Sequence, residues 1–233
     1  MPSGTAAVTG GLPGTLRPME VLPLVISLAA FALSLSVHES AHAWTAYRLG
    51  DPTGAAEGRI TLNPIAHLDP FGSVLLPILL WWGSNGAVVF GYAKPVRYNP
   101  YVFKNPPLGS AAVAGAGPLS NFLLSGISMV ALALAAVDGR LDASLGHDFL
   151  VQMVFVNLAL GLFNLLPFPP LDGGTVLAGF LPRALASRYA RIEFLGPLFL
   201  IVILGTGLFG YVHRPVQAWA IDRLLDLVRL VHG

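Results

Sequence analysis

The sequence predicts an all-α polytopic membrane protein, and two observations carry this prediction. Of the 233 residues, 55% are apolar and only 11% are charged, whereas an ordinary soluble domain carries about 25% charged residues. The charged residues and histidines are also unevenly spread, because residues 107–137, 149–171 and 194–212 contain no Asp, Glu, Lys, Arg or His. Each of these stretches is close to or above the length of about 20 residues that a helix needs to cross a bilayer.

Composition also excludes several other classes of protein. A net charge of only +1 argues against a nucleic-acid partner, and the apolar fraction is too high for a disordered chain. Because the chain has no cysteine, it has no disulfide framework, no thiolate metal ligand and no cysteine nucleophile.

About five to six membrane segments are predicted, and one of them is a re-entrant segment. Residues 21–47 give the first span, and the three uncharged stretches give three more. Residues 70–93 are also uncharged, but Pro77, Gly83 and Gly86 interrupt them. Only residues 71–82 form one apolar run, and a run that short fits a segment that dips into the membrane and returns as well as it fits a thin span.

The distribution of basic residues favours the re-entrant interpretation of residues 70–93. If this segment returns to its own side, one face of the membrane collects eight basic residues: Arg48, Arg59, Lys94, Arg97, Lys104, Arg183, Arg188 and Arg191. The other face then keeps Arg17, Arg140 and the tail. If the segment crosses instead, the bias nearly vanishes. The positive-inside rule therefore favours re-entry and places the basic face in the cytoplasm.

A metal site is predicted inside the first span, where His38-Glu39-Ser-Ala-His42 fits the pattern His-Glu-x-x-His. Residues four apart on a helix lie one above the other, so both imidazoles can reach one zinc ion. Glu39 can then act as a general base toward a water at the metal. Ionisable residues inside a span are functional by default, and the alternative is a buried, hydrogen-bonded polar cluster.

Asp172 is the predicted third ligand of the metal. It ends the uncharged stretch that includes Asn164-Leu-Leu-Pro-Phe-Pro-Pro-Leu-Asp172, whose three prolines prevent a regular helix. Irregular backbone at membrane depth is tolerated only where it is buried in protein or lines a wet cavity. The alternative is that Asp172 caps the following helix.

These motifs resemble those of the site-2 protease family of intramembrane zinc metalloproteases. His38-Glu-x-x-His42 is followed by Asn164-x-x-Pro-x-Pro-x-Leu-Asp172-Gly, and both motifs match in order and residue by residue. The intervening Gly115-Ala-Gly117-Pro-Leu-Ser-Asn121 is similar to the family's Gly-Pro-x-x-Asn helix start. The resemblance covers about residues 30–185 and is to a short branch without a PDZ-like or nucleotide-sensing domain.

The resemblance implies that His38, His42 and Asp172 hold Zn²⁺, that Glu39 activates the water and shuttles its proton, and that Asn164 helps to bind the substrate or the developing oxyanion. For Asn164 the alternative is a hydrogen bond between helices. For Asn121, Gly115 and Gly117, close packing of helices is favoured over contact with substrate.

A small β element is expected near this site. The segments 59–63 and 88–92 favour β structure, and a strand edge beside the metal could bind an extended substrate by strand addition. An ordinary hairpin connection is the alternative.

Three parts of the chain are distinguished. Residues 1–20 are predicted to be an N-terminal loop, residues 21–212 an intramembrane protease domain with its zinc core at about 30–185, and residues 213–233 an amphipathic C-terminal helix. That helix could lie on the membrane or complete a last crossing.

The predicted function is that of an intramembrane zinc metalloendopeptidase that cleaves in or near the transmembrane segment of a single-span or membrane-anchored protein. A prenyl-protein-processing zincin would need a later Glu ligand, and neither Glu57 nor Glu193 lies in such a motif. A membrane metal-binding protein or transporter, or a catalytically inactive family member, stays open. We expect a multi-pass protein of a prokaryotic plasma membrane, with its active site toward the cytoplasm.

Overall fold

The computed structural model describes residues 18–83, 91–137 and 145–232, and within these ranges the chain is helical. The helices are α1 (Pro18–Arg48), α2 (Thr53–Ala56), α3 (Leu76–Gly83), α4 (Pro106–Val137), α5 (Leu145–Asn164), α6 (Asp172–Phe180), α7 (Arg183–Ala190), α8 (Gly196–Gly205) and α9 (Phe209–His232). A turn of π-helix at Pro70–Leu75 leads into α3. The predicted all-α class is confirmed.

Three helices, α1, α4 and α5, are long and apolar enough to span a membrane, and a fourth candidate is the bent pair formed by Arg183–Gly205 and Phe209–Val231. The predicted five to six membrane segments are not confirmed. Residues 194–212 do not form one continuous helix, because α8 ends at Gly205 and α9 begins at Phe209. Gly207 lies between them with a φ of +71°, a conformation that glycine adopts without steric cost and that interrupts the helix.

The predicted β element is also not confirmed, since no strand occurs in the described ranges. Residues 59–63 are irregular, and residues 88–90 lie outside the described residues. Thr61 uses the Ser40 side chain of α1 for its backbone hydrogen bonds: its N–H donates to Ser40 Oγ (3.1 Å) and its C=O accepts from the same hydroxyl. A side chain therefore satisfies the backbone groups that a partner strand would otherwise satisfy.

Helix α4 is the centre of the bundle and packs against α1, α5, α6 and α9. One core cluster joins α4, α5 and α9 through Met129, Leu132, Val154, Leu158 and Ala220. The C-terminal helix begins at Phe209, four residues before the predicted boundary, and its Ala220 face is buried in that core.

The two ends of segment 70–93 lie beside each other. The Tyr92 N–H donates to the Gly72 carbonyl (3.0 Å), and the Lys94 N–H donates to the His67 carbonyl (2.9 Å). The Ser73 hydroxyl donates to the Tyr92 carbonyl (2.7 Å). The described residues on either side of residues 84–90, which lie outside the described ranges, are therefore neighbours, and the re-entrant path between them stays a prediction.

Asp51 attaches the following loop to the end of α1. Its carboxylate accepts hydrogen bonds from Thr53 N–H (3.1 Å), from Thr53 Oγ1 (2.6 Å) and from Asn99 N–H (2.7 Å). Burial alone would raise the pKa of the Asp51 carboxyl, but these hydrogen bonds outweigh it and lower the pKa below its usual value. Asn99, at the end of the loop of residues 91–99, is therefore held close to the end of α1.

Candidate active site

His38, His42 and Asp172 meet at one point between α1 and α6. The Nε2 atoms of His38 and His42 lie 3.1 Å and 3.4 Å from the same oxygen, Oδ2 of Asp172. The two imidazole rings are 4.6 Å apart between centroids and nearly perpendicular. One donor atom from each residue lies within 4.8 Å of the others, so the three form a group that could bind a metal ion.

The turn before α6 places the Asp172 carboxylate. Helix α5 ends at Asn164, and the proline-rich connection continues to Leu171, which is extended. Asp172 is the first residue of α6, and no side-chain cap is formed at Leu171. The carboxylate faces the two histidines, so the metal-facing alternative describes its position better than the helix-cap alternative does. A Cβ at Gly174 would lie 2.6 Å from the backbone nitrogen of Pro169, so the turn packs tightly onto its own helix.

Both histidines are held in the tautomer that a metal needs. His38 Nδ1 lies 2.6 Å from Asn121 Oδ1, and His42 Nδ1 lies 2.7 Å from the Val113 carbonyl oxygen. Carbonyl oxygens only accept hydrogen bonds, so each Nδ1 carries the proton and donates it. The lone pairs of both Nε2 atoms then face Asp172, where a metal would lie.

A buried chain of hydrogen bonds fixes Asn121 itself. Asn121 Nδ2 donates to Asn157 Oδ1 (2.8 Å), which leaves Asn121 Oδ1 as the acceptor for His38. Asn157 Nδ2 in turn donates to Ser34 Oγ (2.8 Å). All three polar side chains are completely buried. Asn121 was predicted to pack helices; it does so, and it also positions a predicted metal ligand.

Gly117 leaves the space that the two imidazoles occupy. A Cβ on Gly117 would lie 2.5 Å from His42 Nε2 and 2.6 Å from His38 Cε1, which is closer than real Cβ atoms approach. Gly115 is different, because its Cβ would meet only Val176 at 3.7 Å. The packing prediction therefore suits Gly115, whereas Gly117 adjoins the site. The one-turn spacing between Gly117 and Asn121 places both on one face of α4, but no local pattern in the sequence says which helix that face meets.

Glu39 lies beside the three-residue group and is nearly fully buried. Its Oε2 accepts a hydrogen bond from the Val96 N–H at 3.2 Å. That contact joins the carboxylate to the loop of residues 91–99, and both line the same cavity.

The site opens into a cavity of about 770 Å³. Its walls come from α1, α4, α5, α6 and α8, from the start of α9 and from the loop of residues 91–99, and they are mostly apolar. Asn164 also lines the cavity, but its Nδ2 donates to the Leu160 carbonyl of its own helix (3.0 Å) rather than to the His–His–Asp group. The structure thus brings Asn164 to the cavity, and its role in substrate binding stays a prediction.

Comparison with known proteins identifies the family. The model of peptidase family M50 matches residues 133–204. "Putative zinc metalloprotease YwhC" of Bacillus subtilis is 39% identical over 215 residues, which are 90% of this chain and 93% of the relative. This chain belongs to peptidase family M50. "Putative zinc metalloprotease Rip2" of Mycobacterium tuberculosis is 32% identical over 220 residues, 90% of this chain and 82% of the relative. No solved structure matches.

Membership of family M50 confirms the site-2 protease resemblance, and it confirms the predicted class of enzyme, a protease. Together with the apolar helices, it identifies an integral membrane protein in a lipid bilayer. The names of the relatives and the His–His–Asp group support the predicted zinc cofactor. Two imidazole nitrogens and one carboxylate oxygen are a donor set that zinc prefers in catalytic sites, where a fourth position stays open.

Replacing Asn121 in this M50 protein with leucine is expected to weaken zinc binding by about 10- to 100-fold, because outer partners orient metal-binding histidines. Zinc retained by the purified protein over a series of buffered zinc concentrations measures the effect. Ser125→Ala is the matched control, since it removes another buried bond between α4 and α5, from Ser125 Oγ to the Val154 carbonyl (3.1 Å). Equal zinc affinity in the two variants would contradict the positioning role of Asn121.

Proposed function

We propose that this protein is an intramembrane zinc metalloendopeptidase that hydrolyses a peptide bond in or near the transmembrane segment of a single-span or membrane-anchored protein. The observation that carries the proposal is the meeting of His38, His42 and Asp172 within 4.8 Å. Two of these residues lie on a helix long and apolar enough to span a membrane, and the site opens into a largely apolar cavity.

His38, His42 and Asp172 would hold the zinc ion through two Nε2 atoms and one carboxylate oxygen. When bound there, zinc supplies Lewis acidity, which polarises a carbonyl group and makes a water molecule more acidic. The protein contributes the orientation of the ligands, because Asn121 and Val113 fix both imidazoles.

Glu39 is the proposed general base. Its Oε2 is held by the Val96 N–H, which leaves Oε1 to accept a proton from the attacking water and to pass it to the leaving amine. Asn164 is the proposed donor to the substrate carbonyl, where an amide N–H stabilises the negative charge that develops. For that role its Nδ2 turns away from the Leu160 carbonyl.

We infer that residues 70–93 form a re-entrant segment, and the hydrogen bonds that join its two ends support this. With this segment returning to its own side, the eight basic residues share one face of the membrane, which the positive-inside rule assigns to the cytoplasm. The active site then faces the cytoplasm. The bacterial relatives support a prokaryotic plasma membrane as its location.

Metal removal from protein reconstituted in liposomes with a single-span substrate tests the proposed function. The proteoliposomes are treated with a zinc chelator, dialysed and then supplied with Zn²⁺, and the products are identified by mass spectrometry. We expect cleavage within or next to the transmembrane segment, its loss on chelation and its return with zinc. Chelator-insensitive cleavage would refute the zinc mechanism, and zinc flux across the vesicle without proteolysis would favour the transporter.

A further inference from the structure

The cavity continues far beyond the His–His–Asp group along α1 and α5. On α1 it is lined by Ser27, Phe31 and Leu35 before it reaches His38, and on α5 by Gln152, Val156 and Leu160 before Asn164. Because an α-helix rises about 1.5 Å per residue, Ser27 lies about 16 Å from His38 and Gln152 about 18 Å from Asn164 along these helices. The chain runs toward the site in both α1 and α5. Ser27 and Gln152 therefore lie together at the end of the groove that is distant from the site.

The walls between the two ends of this groove are mostly apolar. Phe31 and Leu35 pack against Val156 and Leu160, and α8 and the start of α9 contribute Leu200, Leu204 and Phe209. A transmembrane segment bound in the groove would therefore meet a mostly apolar surface between the active site and the distant end, with Tyr92 beside it. Such a surface fits hydrophobic side chains of many shapes and selects weakly among them.

Ser27 and Gln152 are the exception at the distant end. Both side chains line the cavity and are half-buried, and the hydrogen bonds of the described residues include none from either of them. Their polar groups are therefore open to the groove and can pair with a hydrogen-bonding group of a segment that enters it.

We propose that Ser27 and Gln152 form a polar subsite that recognises a hydrogen-bonding side chain in the transmembrane segment of the substrate. This inference rests on the proposed function and names a feature of its substrates. The Gln152 amide both donates and accepts, as does the Ser27 hydroxyl, so the matching side chains are Asn, Gln, Ser and Thr. Hydrogen bonds of this kind join neighbouring helices in membranes.

The length of the groove sets the position of that side chain. A separation of about 16–18 Å corresponds to about 11 or 12 residues of helix, or to about five residues of extended chain at about 3.3 Å each. The preferred distance from the scissile bond therefore also reports whether the bound segment is helical or extended.

A scan of substrates tests the subsite. A single-span substrate with a transmembrane segment of leucine and alanine carries one asparagine, moved residue by residue from 3 to 14 positions from the scissile bond. Wild-type protein in liposomes is expected to cleave the best-placed variant about three- to tenfold more efficiently, in kcat/KM, than the substrate without asparagine, as one hydrogen bond between helices predicts.

Gln152→Leu is expected to lower this ratio toward one, because only the Ser27 hydroxyl of the subsite is left. Ser128→Ala is the matched control and keeps the wild-type ratio, since Ser128 bonds to the Leu124 carbonyl of its own helix (2.9 Å) and does not line the cavity. Because the ratio compares kcat/KM for two substrates on the same preparation of a variant, partial loss of folded protein does not alter it.

Two results would overturn the subsite. The first is a wild-type ratio that does not depend on the position of asparagine, and this result requires only the wild-type protein. The second is an unchanged positional preference in Gln152→Leu. Failure of wild-type protein to cleave any substrate of the scan would instead reject the proposed function, and the subsite with it.

Discussion

Replacing Glu39 with glutamine is expected to lower kcat for peptide-bond cleavage by about 10²- to 10⁴-fold, the range typical of a lost general base. Glutamine keeps the shape of the side chain, and its amide oxygen can still accept the hydrogen bond that Glu39 Oε2 receives from Val96. It cannot take up a proton from water. The variant should therefore stay folded and retain zinc at the wild-type level while losing turnover.

Cleavage in liposomes and zinc content of the same preparation measure the two effects separately. Glu57→Gln is the matched control, because Glu57 is exposed, lies near Arg59 (3.7 Å) and does not line the cavity. It should cleave at the wild-type rate. Wild-type turnover in Glu39→Gln would remove Glu39 from the mechanism, and loss of zinc from that variant would make Glu39 a structural part of the metal site.

The second large effect is expected at Gly117. An alanine there would place a methyl group 2.5 Å from His42 Nε2 and 2.6 Å from His38 Cε1, so at least one imidazole has to leave its position. We expect zinc affinity to fall by more than about 10-fold, the lower end of the loss seen when ligand orientation is disturbed, and cleavage to fall with it. Alanine is the better helix former by about 1 kcal/mol, so an effect on the helix alone would have the opposite sign.

Gly126→Ala on the same helix is the control for this change. A Cβ at Gly126 meets nothing within 4 Å, so this variant gains the same helix propensity without touching the site. Zinc binding by titration and thermal unfolding in detergent are measured for both. If Gly117→Ala binds zinc as tightly as Gly126→Ala, the absence of a side chain at residue 117 is not required for the imidazoles to bind zinc.

The proposed metal ligands could be found from the sequence because their signal is local. The spacing of His38 and His42 fixes them on one helical face, and Asp172 stands out in an uncharged region. Gly117 and the partnership of Asn121 with Asn157 could not be found in this way. Their role depends on which faces of α1, α4 and α5 meet, and hydropathy along one chain carries no information about that pairing.

Two predictions about the fold are not confirmed, the single span at residues 194–212 and the β element, and the causes are similar. The hydropathy of residues 194–212 is that of a span, but it is insensitive to the left-handed backbone of Gly207 that separates α8 from α9. Residues 59–63 have strand-forming side chains, yet the Ser40 hydroxyl of a distant helix binds their backbone. In both cases a conformational or tertiary contact overrode a local preference.

The hydrogen bonds from Ser34 through Asn157 and Asn121 to His38 cross three helices, so zinc uptake and helix association are thermodynamically linked. Any ligand that binds only the folded form stabilises it by about 1.4 kcal/mol for each tenfold excess over its dissociation constant. Zinc bound by His38 would stabilise the hydrogen bonds that Asn121 and Asn157 make between the helices. Loss of the zinc would weaken these hydrogen bonds. Zinc binding would then raise the free energy of unfolding of the helix bundle as well as supply the catalytic centre.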